Sequence, residues 1–543
     1  MEACGTNAKP FRLLLVIERG RTDLKKLVTA ARAQLEKHSA KAWQLPEGAF
    51  FGCGRPNGRL GVLFPGQGSQ YSGMLRDLSC QFPQMQAGLA EANEIFAEAH
   101  TGEGRARLTD YIFPHPAFDE ATAKQQDATL KATDIAQPAI GAVSLGALQV
   151  LEAFGVSPEA AAGHSYGELL ALCASGRIHS DTLHRLSNLR GRLMAQANGA
   201  GESGAMLAVK APVETVEQFI REERFDLVVA NRNAPDQAVL AGAVEEIERA
   251  SQSLERRAIW NRRLPVAAAF HSPLVAAAQT PFAAALSTVE LSQSRIPVYA
   301  NTTAREYPRE AQDARRLLAG QLANPVDFVA EINTMFADGV TTFLEVGPGH
   351  TLTGLVQSIL RDRDIHAIAL DRSRGKRSGI VDLALALSRL AALGHAVDLT
   401  PWNAGVALPE PETGGKPRLT VPLSGANHRT PKPSRPPTPP RALAAAPVAP
   451  VASAAAPAPV ARAVAAPSSS ASPLPAPTAK AAASSFAVAP VAVAPVAAAP
   501  GQISEAVRAS RESLAVLLQL QEQTARLHRQ LGHRNQLPYR RKR

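Results

Sequence analysis

The sequence predicts an α/β protein: a buried parallel sheet flanked by helices, with a smaller antiparallel α/β unit inserted into it. Three observations carry this expectation. Leu60–Phe64 and 160–162 are bare apolar runs that end in glycine-containing turns, as strands covered on both faces do. Helix-patterned stretches separate them. Between residues 204 and 265 the pattern changes to strand, helix, strand, strand, helix, strand, the order of a ferredoxin-like unit.

At 543 residues the chain has room for more than one domain. Residues 401–543 carry 17 basic and five acidic side chains, whereas residues 1–400 carry 41 basic and 43 acidic ones. The net charge of +10 therefore belongs to the C-terminal region, and the folded part is near neutral. That balance argues against a nucleic-acid-binding domain. Cys4, Cys53, Cys80 and Cys173 form no CxxC pair and no metal-ligand spacing, so free thiols in a reducing compartment are expected. FRLLLVIERG is too short and too quickly followed by charge for a signal peptide, and no run suggests a membrane span. The expectation is a soluble, cytoplasmic protein that engages neither membrane nor nucleic acid.

Residues 1–57 read as a small adaptor, with a strand in FRLLLVIE, a helix over about 22–37, and irregular chain over 40–58. The main domain spans 58–400. Its first strand runs into Pro65-Gly66-Gln67-Gly68-Ser69-Gln70, which lacks the lysine of a phosphate-binding loop and could instead offer a backbone N–H to an oxyanion. Residues 75–100 and 120–132 are helical by pattern, and a helix starting at Gln137-Pro138 follows. The strand 160–162 then enters Gly163-His164-Ser165-Tyr166-Gly167, a G-x-S-x-G nucleophile elbow. Its glycines let strand and helix close round a strained turn that points the serine outward.

A helix from Ser180 to about Ala197 carries Arg185, Arg190 and Arg192. The inserted unit covers about 198–266. The main domain resumes with AAFHS, whose His271 is the best candidate base for Ser165. A strand is expected at 297–303, helices within 311–337, another strand at 341–349, and closure near His395. Residues 401–502 are Ala/Pro-rich and read as a disordered linker. Residues 503–543 read as a partner-docking helix ending in a basic tail, YRRKR.

FPGQGSQ, QPAI, GHSYGE, LRGRLM, AFHSPL, YANTT, NPV and EVGPG occur in an order that resembles the malonyl-CoA:acyl-carrier-protein transacylase family, including acyltransferase domains of fatty acid and polyketide synthases. The resemblance covers roughly residues 58–395. It implies an α/β-hydrolase-like core with a ferredoxin-like subdomain. It makes Ser165 the nucleophile and His271 the general base and acid, with no acidic third member. Gln321 would orient His271 through its backbone carbonyl, leaving its side chain less critical. The backbone N–H groups of Gln67 and Tyr166 would form the oxyanion hole, and Arg190 would hold the carboxylate of the extender unit.

Phe270 would fill the space a 2-methyl group needs, which favours malonyl. One histidine is missing before it, since Ala268-Ala269-Phe270-His271 stands where HAFH is usual. The implied substrates are malonyl-CoA and a phosphopantetheinylated acyl carrier protein, with no bound cofactor or metal. Residues 11–50 resemble a ketosynthase–acyltransferase linker, and LLQLQEQTARLHRQ resembles a helix of polyunsaturated fatty acid synthases, which implies further synthase subunits as partners. Two rival readings share the elbow: a serine thioester hydrolase, and a scaffold with an idle centre.

Overall fold

The computed structural model describes residues 11–38, 41–100, 107–196, 204–266 and 268–403. The expected linker beyond residue 403 and the C-terminal helix with its basic tail lie outside the described residues.

The N-terminal unit comprises β1 (Phe11–Leu15), a helix Leu24–Lys37, β2 (Trp43–Leu45) and β3 (Ala49–Cys53). The helix begins where the Asp23 carboxylate accepts the Lys26 N–H, and it turns Leu27, Val28, Ala31 and Leu35 onto the sheet. Residues 40–58 are not irregular, as expected, but supply two of the three strands of an antiparallel sheet ordered β1-β3-β2. Their runs are too short for an alternating pattern to show. Gly48, at φ +100°, closes the hairpin, and Trp43 stacks on Phe51 across it with centroids 5.5 Å apart. Arg12 donates to the Gly54 carbonyl within this unit and fastens it to the main domain by donating to the Ala392 carbonyl in the helix Gly379–Leu393.

The remaining strands are β4 (Arg59–Phe64), β5 (Ala160–Gly163), β6 (Gly204–Val209), β7 (Leu227–Ala234), β8 (Gln237–Ala243), β9 (Asn261–Arg263), β10 (Val326–Asp327), β11 (Val340–Glu345) and β12 (His366–Ala369). The core sheet is parallel, in the order β12-β11-β4-β5. The expected strand at 297–303 touches its edge only through a bridge between Val298 and Ala161, because the chain turns away at once through 301–304.

The inserted unit has the sheet order β7-β8-β6-β9 with antiparallel pairs, flanked in sequence by the helices Val213–Glu223 and Val244–Arg256. This is the predicted ferredoxin-like arrangement. The main domain adds β10 parallel to its outer strand β7.

The helix Thr133–Ala153 runs through the middle of the core, with Ile140, Ala142, Val143 and Val150 fully buried. It starts at Thr133 rather than at the expected Gln137-Pro138, and Pro138 lies inside it. Burial of Ile135 and Ala136 extends the helix upstream at the cost of the one bond that Pro138 cannot donate. Contrary to the sequence reading, this helix is long and apolar enough to cross a membrane, with mean hydropathy 1.2, but 89% of that stretch is buried inside the protein.

Candidate active site

The site forms where β4 and β5 end. Glycine is required on both sides of the elbow. A Cβ on Gly163 would stand 2.0 Å from the Gly167 carbonyl, and one on Gly167 would stand 2.0 Å from the Phe64 carbonyl oxygen. Strand and following helix are that close, and Ser165 absorbs the turn at φ +52°. A non-glycine residue in this region is strained and persists only where its surroundings hold it.

The Ser165 hydroxyl oxygen lies 2.7 Å from His271 Nε2. His271 is itself left-handed, at φ +59°, and 2% exposed. Its Nδ1 faces two backbone carbonyls, those of Gln321 at 3.0 Å and Asn324 at 3.2 Å. Carbonyls only accept, so Nδ1 carries the hydrogen and Nε2 presents its lone pair to the serine. Burial, and after it the charge of Arg190, push the imidazole down to about 3, so the ring is neutral at physiological pH.

Arg190 comes from the helix Ser180–Gln196 and is 1% exposed. Its guanidinium donates to the amide oxygens of Gln137 at 2.8 Å and Gln321 at 3.0 Å, and it stands 6.0 Å from the Tyr166 ring. Among the described residues it forms no ion pair. Burial lowers its pKa to about 10, which leaves it charged at neutral pH. A buried cation whose bonds go only to neutral oxygens is costly unless an anion completes it. Its neighbours on the same helix differ: Arg185 pairs with exposed Glu98, and Arg192 caps the Ala99 carbonyl.

The loop after β4 lies against the elbow, since a Cβ on Gly66 would meet the His164 carbonyl oxygen at 2.5 Å. The Gln67 side chain is drawn away to Thr133 at 3.1 Å. Among the described residues neither Gln67 nor Tyr166 donates its backbone N–H to a protein acceptor. The Tyr166 ring points away from the cleft, and its hydroxyl bonds Ser187 at 2.6 Å. These groups edge a cleft of about 280 Å³ lined by Gln67, Ser165, Arg190, Phe270 and His271. The inserted unit supplies its far wall through Met206, Asn231, Asn233, Gln237 and Val239. His164 Nε2 meets Asn233 Oδ1 at 2.7 Å and so ties the elbow to that wall.

The structure thus gathers all seven residues singled out in the sequence, with Tyr166 and Gln321 behind the cleft rather than lining it. It corrects one expectation. The Gln321 side chain is central: besides accepting from Arg190, its amide donates to the Ser165 carbonyl at 2.7 Å. Sequence reasoning also missed a buried layer beneath the elbow, made of Asn301, Glu168 and Glu331, each at most 1% exposed. Burial raises Glu168 to about 7 and Glu331 well above the carboxylate range. Asn301 and Glu168 stand in the YANTT and GHSYGE segments, but nothing in their spacing distinguishes a support from a bystander.

A family model described as an acyl transferase domain matches residues 62–380. The chain belongs to that family. Its relatives include the malonyl CoA-acyl carrier protein transacylase of Bacillus subtilis, 33% identical over 56% of this chain and 91% of the relative. A polyunsaturated fatty acid synthase polypeptide of a Thraustochytrium species is 29% identical over 75% of this chain. The chain spans only 14% of that synthase polypeptide's length.

Among solved structures, the acyltransferase domain from the second module of the salinomycin polyketide synthase matches with a TM-score of 0.60 and 28% identity, over 74% of this chain and 89% of that one. A malonyl-transacylase in complex with a type II polyketide acyl-carrier protein matches at 0.52 and 30% identity, over 60% and 99%. The parallel core with its inserted sheet is therefore the acyltransferase fold, as the resemblance implied.

Proposed function

We propose that this acyltransferase moves a malonyl unit from CoA to the phosphopantetheine thiol of an acyl carrier protein through an ester on Ser165. The observation that carries the reading is the juxtaposition, in one cleft, of a serine bonded to a neutral histidine and a buried arginine that forms no ion pair with a protein carboxylate among the described residues. A planar guanidinium can take a carboxylate through parallel bonds, which a lysine does less well.

The chemistry then runs in two halves. Ser165 attacks the thioester carbonyl while its proton passes to His271 Nε2, and the developing oxyanion is taken by the N–H groups of Gln67 and Tyr166. Collapse breaks the carbon–sulfur bond, and His271 returns the proton to the departing CoA sulfur. The carrier thiol next gives its proton to His271 and attacks the ester carbonyl. Ser165 leaves with that proton, and ping-pong kinetics follow. Phe270, 7% exposed, stands in the cleft wall, which supports a preference for malonyl over a unit with a 2-methyl substituent. One methyl is worth only about 1–3 kcal/mol, so this preference is graded rather than absolute.

Similarity to a transacylase solved in complex with its carrier protein, and to large synthase polypeptides, supports carrier-borne thiols and other synthase subunits as partners. Intact-mass spectrometry after mixing with malonyl-CoA tests the reading. The expected result is one malonyl adduct on the wild type and none on Ser165→Ala. Failure of malonyl-CoA and every other acyl-CoA to leave an adduct would overturn it. Adducts that water removes as fast as a carrier thiol does would overturn it in favour of a hydrolase.

A further inference from the structure

Ser165 is strained, and the elbow's glycines explain only why the turn fits, not why it stays. What holds it is a side chain from outside the motif. Asn301 is fully buried, and each of its polar atoms is engaged. Its Oδ1 accepts the Ser165 N–H at 2.7 Å, while its Nδ2 donates to the Gly163 carbonyl at 2.6 Å. One amide thereby clamps the turn on both sides of His164. The same Nδ2 reaches the Glu331 carboxyl at 3.0 Å, the Asn301 N–H donates to Glu168 Oε2 at 3.0 Å, and its carbonyl accepts the Asp327 N–H at 2.9 Å. Tyr307 donates to the other oxygen of Glu168. On the near side, Gln321 links the clamp to the cleft, since its amide donates to both the Ser165 carbonyl and Asn301 Oδ1.

We infer that Asn301, oriented by Glu331 and Glu168, is a positioning residue that sets the reactive geometry of Ser165 from beneath the elbow. Its orientation is dictated by chemistry, because only the oxygen side can face the Ser165 N–H and only the NH₂ side can face the Gly163 carbonyl. Asn301 touches neither substrate nor reacting atoms. Its loss shifts the serine oxygen relative to His271 and to the oxyanion donors, and a misplacement near 1 Å costs about 100-fold in rate. The Ser165 nucleophile is that of the proposed function, so the inference rests on that reading.

The test measures two rates on each variant: malonyl-adduct formation from malonyl-CoA, and labelling by an alkyl fluorophosphonate, in which the serine oxygen displaces fluoride from phosphorus and its proton leaves through His271. Asn301→Ala is expected to slow both by about 100-fold, reach the same labelling endpoint of one per chain, and shift the KM for malonyl-CoA less than about threefold. Asn301→Asp keeps the oxygen that accepts from Ser165 but loses the donor, and it decides the matter should the alanine variant fail to fold. Asn301→Asp is expected to slow both rates by at least about tenfold, with the KM for malonyl-CoA again shifted less than about threefold. Folded variants with both rates within threefold of wild type would overturn the inference. Wild type labelled by the fluorophosphonate but not by malonyl-CoA would sink the proposed function alone, the clamp then standing or falling on the labelling rates. Wild type labelled by neither would sink both.

Discussion

The core and the inserted unit meet across the same cleft but contribute differently. The parallel-sheet domain supplies the loop after β4 and the serine, the histidine and Arg190, the last three fixed by hydrogen bonds to buried backbone or amide groups. Among the described residues, the inserted sheet contributes side chains of the far wall and, at the elbow, one bond, that between Asn233 and His164. A residue that lines the cleft is thus not by that fact a reacting one. Substitutions in the core should abolish chemistry, whereas substitutions in the insertion should retune which acyl group is accepted.

The greatest loss is expected at the nucleophile. Ser165→Ala should lower transfer by about 10⁴-fold or more, as removal of a nucleophile does elsewhere, with no compensating change in fold by circular dichroism. Arg190→Ala should come next, lowering kcat/KM for malonyl-CoA by roughly 10²–10³-fold, the value of two charge-assisted hydrogen bonds. Acetyl-CoA, without a carboxylate, should lose far less.

The pH profile gives a graded effect. His271 must be neutral to accept the serine proton, and its native pKa of about 3 lies below the ordinary 6.5. Acylation of the free enzyme should therefore stay level as pH falls through 6.5, then drop about tenfold per unit only well below it. The same depression means that the unfolded chain binds the proton more readily, so the histidine's contribution removes stability as pH falls below 6.5. Arg190→Ala should move the acidic limb upward, because the arginine's charge is the second cause of the depression. Rapid-quench acylation rates across pH check both points.

Smaller effects test the insertion. Asn233→Ala removes one neutral hydrogen bond to His164 and should cost about fivefold in kcat/KM. A loss as large as that of Arg190→Ala would erase the division between core and insertion.

Much of this was legible in the sequence, for reasons that can be named. The elbow announces itself because a turn that tight admits glycine alone at two positions, and the inserted unit because its period changes. Arg190 could not be told from Arg185 by periodicity, and only its place in LRG, within a run of ordered segments, set it apart. What stayed hidden depends on long-range packing. The strained φ of His271 has no glycine to mark it, since two carbonyls from 321–324 hold it. Asn301 lies 136 residues from the serine it bonds, and no local pattern can report such a pairing. The Gln321 side chain was underrated for the same reason: its partners come from three separate segments. The N-terminal hairpin was missed because strands as short as WQL carry too few residues to show alternation.

Everything proposed for the reaction turns on a buried arginine selecting a carboxylate-bearing acyl group for transfer through Ser165. The decisive quantity is the ratio of kcat/KM for malonyl-CoA over acetyl-CoA, measured with the same carrier protein on wild type and on Arg190→Ala. The wild-type ratio should lie well above one and fall by about 100-fold or more in the variant, with acetyl transfer preserved or improved. A ratio unchanged by the substitution would mean that the carboxylate is recognised elsewhere or not at all, and the role given to Arg190 would be wrong.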